Sequence, residues 1–106
     1  MEFIETSVFT KQIRVLLDDD AYRDLQAALA RHPKMGDVIP GGHGLRKLRW
    51  GSAGTGRGKR VGIRIIYYYW SAEQVYLLFA YEKSRQGDLT PDQVRMLSAY
   101  VRRGVL

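Results

Sequence analysis

The spacing of apolar residues changes period along the chain. Phe9, Ile13, Leu16 and Leu17 recur at i, i+4, i+7 and i+8, which puts them on one face of a helix. Ser7 stands where its cap belongs, after a short opening strand over Glu2 to Thr6. Asp18, Asp19 and Asp20 break this helix and cap a second. Its Tyr22, Leu25, Ala28 and Leu29 line one face until Pro33 and Gly36 stop it. The two predict a helical hairpin. Gly36 to Gly44 reads as loop, with Pro40 followed by Gly41, Gly42 and Gly44.

A period of two then takes over. In Leu45 to Trp50, Arg46, Leu48 and Trp50 fall on one face of a strand, and Lys47 and Arg49 on the other. GSAGTGRGKR follows as a basic, glycine-rich loop, and Val61 to Trp70 is the strongest strand, rich in β-branched and aromatic residues. Ser71 to Gln74 turns the chain into a last strand, Val75 to Glu82, with Val75, Leu77, Phe79 and Tyr81 on one face. Short connections make the three an antiparallel meander. Thr90, Pro91 and Gln93 form a capping box for a final helix, with Val94, Leu97 and Val101 on its buried side. The order β-α-α-β-β-β-α predicts an α+β domain over residues 1–106, with helices covering one sheet face and leaving the other free. The run Tyr67, Tyr68, Tyr69, Trp70 offers bases a stacking surface, but alternation turns half of it toward the helices, so most of it packs the core.

With 106 residues the chain has room for one core. It has no cysteine, which removes disulfides and thiolate chemistry. No apolar run approaches the ~18 residues of a membrane span, and the start MEFIETSVFT lacks a basic segment followed by an apolar one. A cytoplasmic protein with no membrane partner is the expectation. Charge sharpens the picture. The net +6 is unevenly placed: residues 1–37 carry five cations and seven anions, residues 38–72 seven cations and no anion, and residues 73–106 five and four. Unmixed cations repel one another, so an anionic partner is expected to offset the central block.

The glycines do not make a nucleotide cradle. A phosphate loop needs GxxxxGK[ST] between strand and helix, whereas here Ala53 stands five before Gly58, Arg60 follows Lys59, and a strand comes next. No three glycines have the GxGxxG spacing either. His32 and His43 are isolated, so no metal site and no cofactor are expected. His43 stays an acid-base candidate because its loop leads into the basic strand.

Together, GDVIPGGHGLRKLRW, the basic glycine loop, RIIYYYW and LLFAYEKSRQGDLT resemble the RelE superfamily of bacterial toxins, in its HigB-type branch, over nearly the whole chain. The resemblance implies the toxin of a type II toxin-antitoxin pair, an endoribonuclease that cuts mRNA in the ribosomal A site without metal and is silenced by a HigA-type, helix-turn-helix antitoxin. In such enzymes the RNA 2′-hydroxyl attacks the adjacent phosphate, leaving a 2′,3′-cyclic phosphate and a 5′-hydroxyl. The family's paired basic residues match Lys47 and Arg49, its phosphate-contacting arginine matches Arg64, and its basic residue after the last strand matches Lys83 or Arg85. Tyr81 is the nearest match to a tyrosine or histidine at the active-site edge.

Such cleavage needs a proton acceptor for the 2′-hydroxyl, cations for the pentacoordinate phosphate, and a donor for the leaving 5′-oxygen. Arginine cannot be the base, because its guanidinium does not lose a proton. Lys47 is therefore the candidate base, with neighbouring cations expected to disfavour its charge. Arg49 and Arg64 are expected to stabilise the phosphate, and Lys83 to donate a proton or make a second phosphate contact. Arg46, Arg57, Lys59, Arg60 and Arg85 are the candidate contacts to mRNA and rRNA. Two alternatives use the same residues: a ParE-like gyrase inhibitor, and an RNA-binding domain without catalysis.

Overall fold

Thr6, rather than Ser7, caps the first helix. Its backbone is extended, and its Oγ1 accepts the Phe9 N–H at 3.0 Å while donating to Leu78 O at 2.9 Å, so one hydroxyl serves both the helix and the sheet edge. The computed structural model describes residues 1–51 and 62–104. Its elements are β1 (Glu2–Glu5), α1 (Ser7–Leu16), α2 (Asp19–Arg31), β2 (Asp37–Val38), β3 (Leu45–Trp50), β4 (Ile63–Ser71), β5 (Gln74–Glu82) and α3 (Pro91–Gly104). Asp18 caps α2 through the Ala21 N–H. The capping box of α3 forms in both directions, Gln93 N–H to Thr90 Oγ1 at 3.1 Å and Thr90 N–H to Gln93 Oε1 at 2.9 Å.

The α+β class stands, with a five-stranded sheet in the order β1-β5-β4-β3-β2. The meander β3-β4-β5 is antiparallel, and β1 adds in parallel beside β5. The expected loop after Gly36 contains the short strand β2, which pairs Asp37 with Lys47 and Val38 with Arg46.

The expectation of one free sheet face is wrong. One core cluster joins α1 and α2 to the sheet through Phe9, Ile13, Leu25, Leu29, Ile65 and Tyr67. A second, on the other face, packs Leu97 and Val101 of α3 against Leu45, Leu78, Tyr68 and Tyr76. The central strands explain this: Ile65 and Ile66 of β4, like Leu77 and Leu78 of β5, are buried on opposite sides, and a strand apolar on both faces needs cover on both.

The predicted facing of β5 is also corrected. Ile66 pairs with Phe79 but Tyr67 pairs with Leu77, so Leu78 is an extra residue, a β-bulge. Alternation resets there. Val75 and Leu77 face the helical hairpin, while Phe79 and Tyr81 join Arg64 and Ile66 on the α3 side. Beyond Glu5 the strand β1 no longer covers β5, and α1 takes over: the Ala80 N–H donates to Gln12 Oε1 at 2.7 Å.

Tyr67 fixes the approach to β2. Its fully buried ring carries a hydroxyl that donates to Pro33 O at 2.8 Å and accepts the Gly36 N–H at 2.9 Å. Tyr67→Phe leaves that buried N–H without its partner, and we expect a loss of about 1–3 kcal/mol in denaturant unfolding. An unchanged midpoint would mean that water or a backbone shift replaces the hydroxyl.

Candidate functional site

Strand register brings the candidate residues together. Arg49 of β3 lies opposite Arg64 of β4, which lies opposite Tyr81 of β5, and the adjacent row is Lys47, Ile66 and Phe79. Leu48, Ile63, Ile65 and Ala80 turn toward the helical hairpin, so Lys47, Arg49, Arg64 and Tyr81 share the α3 side of the sheet. With strands ~4.8 Å apart, the row Arg49-Arg64-Tyr81 spans about 10 Å of backbone, the scale of one phosphodiester and its neighbours.

Lys83 closes one end. Its N–H donates to Gly62 O at 2.8 Å. A Cβ added at Gly62 would stand 3.2 Å from Arg64 Nη1 and 3.7 Å from Lys83 Cβ, so the guanidinium lies over Gly62 beside the base of Lys83. Arg85 instead turns to Glu82, with Nε 3.0 Å from Oε1. Of the two matches after the last strand, Lys83 is the one at the row.

Asp88 is the group that sequence reasoning missed. Lys47 Nζ donates to its Oδ1 at 3.1 Å, and the Leu89 N–H donates to the same oxygen at 2.8 Å. These bonds, the backbone one first, hold the Asp88 carboxyl below its ordinary 3.8, and the charge of Lys83 adds to them. It is therefore an anion throughout the neutral range. Lys47 does not sit among cations alone: the stretch without acids is continuous along the chain but not in space, because the connection from β5 to α3 returns Asp88 to β3. The only sequence sign of Asp88 is its place in QGDLT, two residues before the Thr90 cap, where an aspartate reads as turn chemistry.

Tyr81 is 6% exposed, and its hydroxyl has no hydrogen-bond partner among the described residues. Burial raises its pKa above the ordinary 10.0, the nearby Asp88 charge adds to this, and Arg64 opposes it. The hydroxyl thus stays protonated at neutral pH, a donor held beside Arg64.

Other candidates lie elsewhere. Arg46 points to the opposite face, where Nη1 donates to Gly36 O at 2.7 Å and Lys34 O at 3.2 Å and ties β3 to the end of the hairpin. Arg57, Lys59 and Arg60 fall outside the described residues. His43 lies in the turn before β3, and the four strand steps from Leu45 to Arg49, ~13 Å, separate that turn from the row. His32 is the exposed C-cap of α2. Among the described residues no three histidine, cysteine, aspartate or glutamate side chains gather to hold a metal ion, and no helix is long and apolar enough to cross a membrane. No family model matches the chain.

The arrangement has definite chemical capacities. Arg49 and Arg64 offer fixed positive charge to a phosphate, and Tyr81 offers a neutral donor. Lys47 and Asp88 form a hydrogen-bonded pair through which a proton can be relayed once an incoming 2′-hydroxyl enters it.

Proposed function

We propose that the protein is a toxin of the RelE superfamily, HigB-type, acting in the cytoplasm as a ribosome-dependent mRNA endonuclease and silenced by a HigA-type antitoxin. The observation that carries this reading is the register that sets Lys47, Arg49, Arg64 and Tyr81 on one sheet face with Lys83 at its edge. In the proposed reaction the 2′-hydroxyl loses its proton to Lys47, acting as the free amine or through Asp88. Its oxygen then bonds to the adjacent phosphorus, and the bond to the 5′-oxygen breaks. Arg49 and Arg64 hold the developing negative charge, and Tyr81 or Lys83 supplies the proton that the leaving 5′-oxygen takes up.

So small and open a row makes few contacts with bases, and positioning has to come from the surroundings. We therefore expect cutting of mRNA on programmed ribosomes and little or none on the same RNA alone. Equal cutting of both would remove the ribosome from the account, and gyrase inhibition without RNA cleavage would favour the ParE-like alternative. The Lys47–Asp88 ion pair supports a second reading, a non-catalytic RNA-binding domain, because it holds Lys47 in contact with a carboxylate. Tight ribosome binding with intact message is its signature.

A further inference from the structure

Helix α3 has a second cationic surface far from the row. The turn before β3 is strained into shape: His43 has φ 57°, Gly41 φ 73° and Gly44 φ 101°. A Cβ at Gly44 would come within 2.8 Å of the Tyr68 ring, so this position needs glycine for space as well as for its dihedral angle. Ser98 of α3 locks the turn in place, its buried Oγ donating to Gly42 O at 2.9 Å. Between turn and helix lies an open cleft of about 540 Å³, lined by His43, Ser98, Arg95, Arg102 and Arg103.

We propose that this cleft is a second phosphate-backbone site for single-stranded RNA, continuing the path of a strand whose scissile phosphate lies at Arg49 and Arg64. The inference rests on the nuclease reading only for that path. Three observations carry it. Arg95 and Arg102 are seven residues apart on α3, ~10.5 Å along the axis, too far for one phosphate and suited to successive ones. Apart from Gly41 and Ala99 the cleft's lining is polar or cationic, which suits a phosphate backbone better than the apolar face of an amphipathic peptide; Met96 and Tyr100 lie in the adjoining grooves, on the other side of Arg95 and Arg103. The placement also fits a continuous strand. Asp88, just before α3, sits on Lys47, and Ser98 and Val101 further along α3 sit on Gly42 and Leu45, so α3 runs beside β3 from the row to the cleft. Arg95 is partly neutralised by an ion pair with Asp92, which leaves Arg102 and Arg103 as the stronger anchors.

The test is equilibrium binding of 2′-O-methyl RNA, which cannot be cut by 2′-hydroxyl attack, to the wild-type protein and to Arg102→Gln/Arg103→Gln. Both residues are exposed and glutamine suits a helix, so the fold should survive, which circular dichroism checks. For a strand of about 12 nucleotides, the slope of log K against log salt should fall by about 1.4, two contacts at ~0.7 each on single-stranded RNA. For a strand of about three nucleotides, long enough only for the row, the two proteins should bind alike. An unchanged slope with the longer strand overturns the proposal, as does equal weakening of both lengths. These readouts need no cleavage. A protein that shows the slope change but never cuts message keeps this site and loses the nuclease reading, whereas one that cuts message with an unchanged slope does the reverse.

Discussion

Arg64→Ala should lower single-turnover cleavage on programmed ribosomes by about 100- to 1000-fold, the range for removing one preorganised donor to developing charge. Arg64 occupies the middle of the row, with Arg49 and Tyr81 as its cross-strand neighbours and its guanidinium over Gly62. Ribosome affinity should fall only modestly, because the remaining basic residues still attract RNA. Lys47→Arg gives the contrast. It keeps the charge facing Asp88 but removes a side chain able to lose a proton, so binding should survive while the rate falls by ~100-fold.

The pH dependence separates the groups further. Asp88 has a depressed pKa, so its pair with Lys47 is intact above the ordinary carboxylate range and opens only as pH falls through the lowered value. Tyr81 is shifted the other way and keeps its proton beyond 10.0. Neither group therefore changes charge across the neutral range, and cleavage should fall in acid as the Lys47–Asp88 pair opens. Wild-type cleavage by Lys47→Arg at every pH would reduce Lys47 to a phosphate contact and send the search for the base to Asp88 first, then to Lys83, Tyr81 and His43.

What could be read from the chain was what depends on local period. Leu45–Trp50 is a strand with the bounds its alternation predicts, and Lys47 and Arg49 share a face because they stand two positions apart along it, with Leu48 between them. The α3 capping box likewise needs only four consecutive positions. The placement of Phe79 and Tyr81 was not legible, since it depends on the bulge at Leu78, where the edge of β5 passes from β1 to the Thr6 and Gln12 side chains more than 60 residues away in sequence. Asp88 was hidden for the same reason: 41 residues separate it from Lys47. The second helical layer follows from β4 and β5 being apolar on both faces, a pattern visible in RIIYYYW and VYLLFA but outweighed by the clean alternation of β3. Arg46 shows the limit of charge counting, because a cation in the basic block is spent on two backbone carbonyls.

The claim at the centre is that these residues make a 2′-hydroxyl attack its own phosphate. The direct measurement places a single 2′-deoxynucleotide at the mapped cleavage position of a message bound to ribosomes, with the all-ribose message alongside. The account predicts that the ribose message is cut to a 2′,3′-cyclic phosphate and a 5′-hydroxyl, while the deoxy position resists. Cutting at the deoxy position at the ribose rate, leaving a 5′-phosphate, would mean that water rather than the 2′-oxygen attacks, and would contradict it.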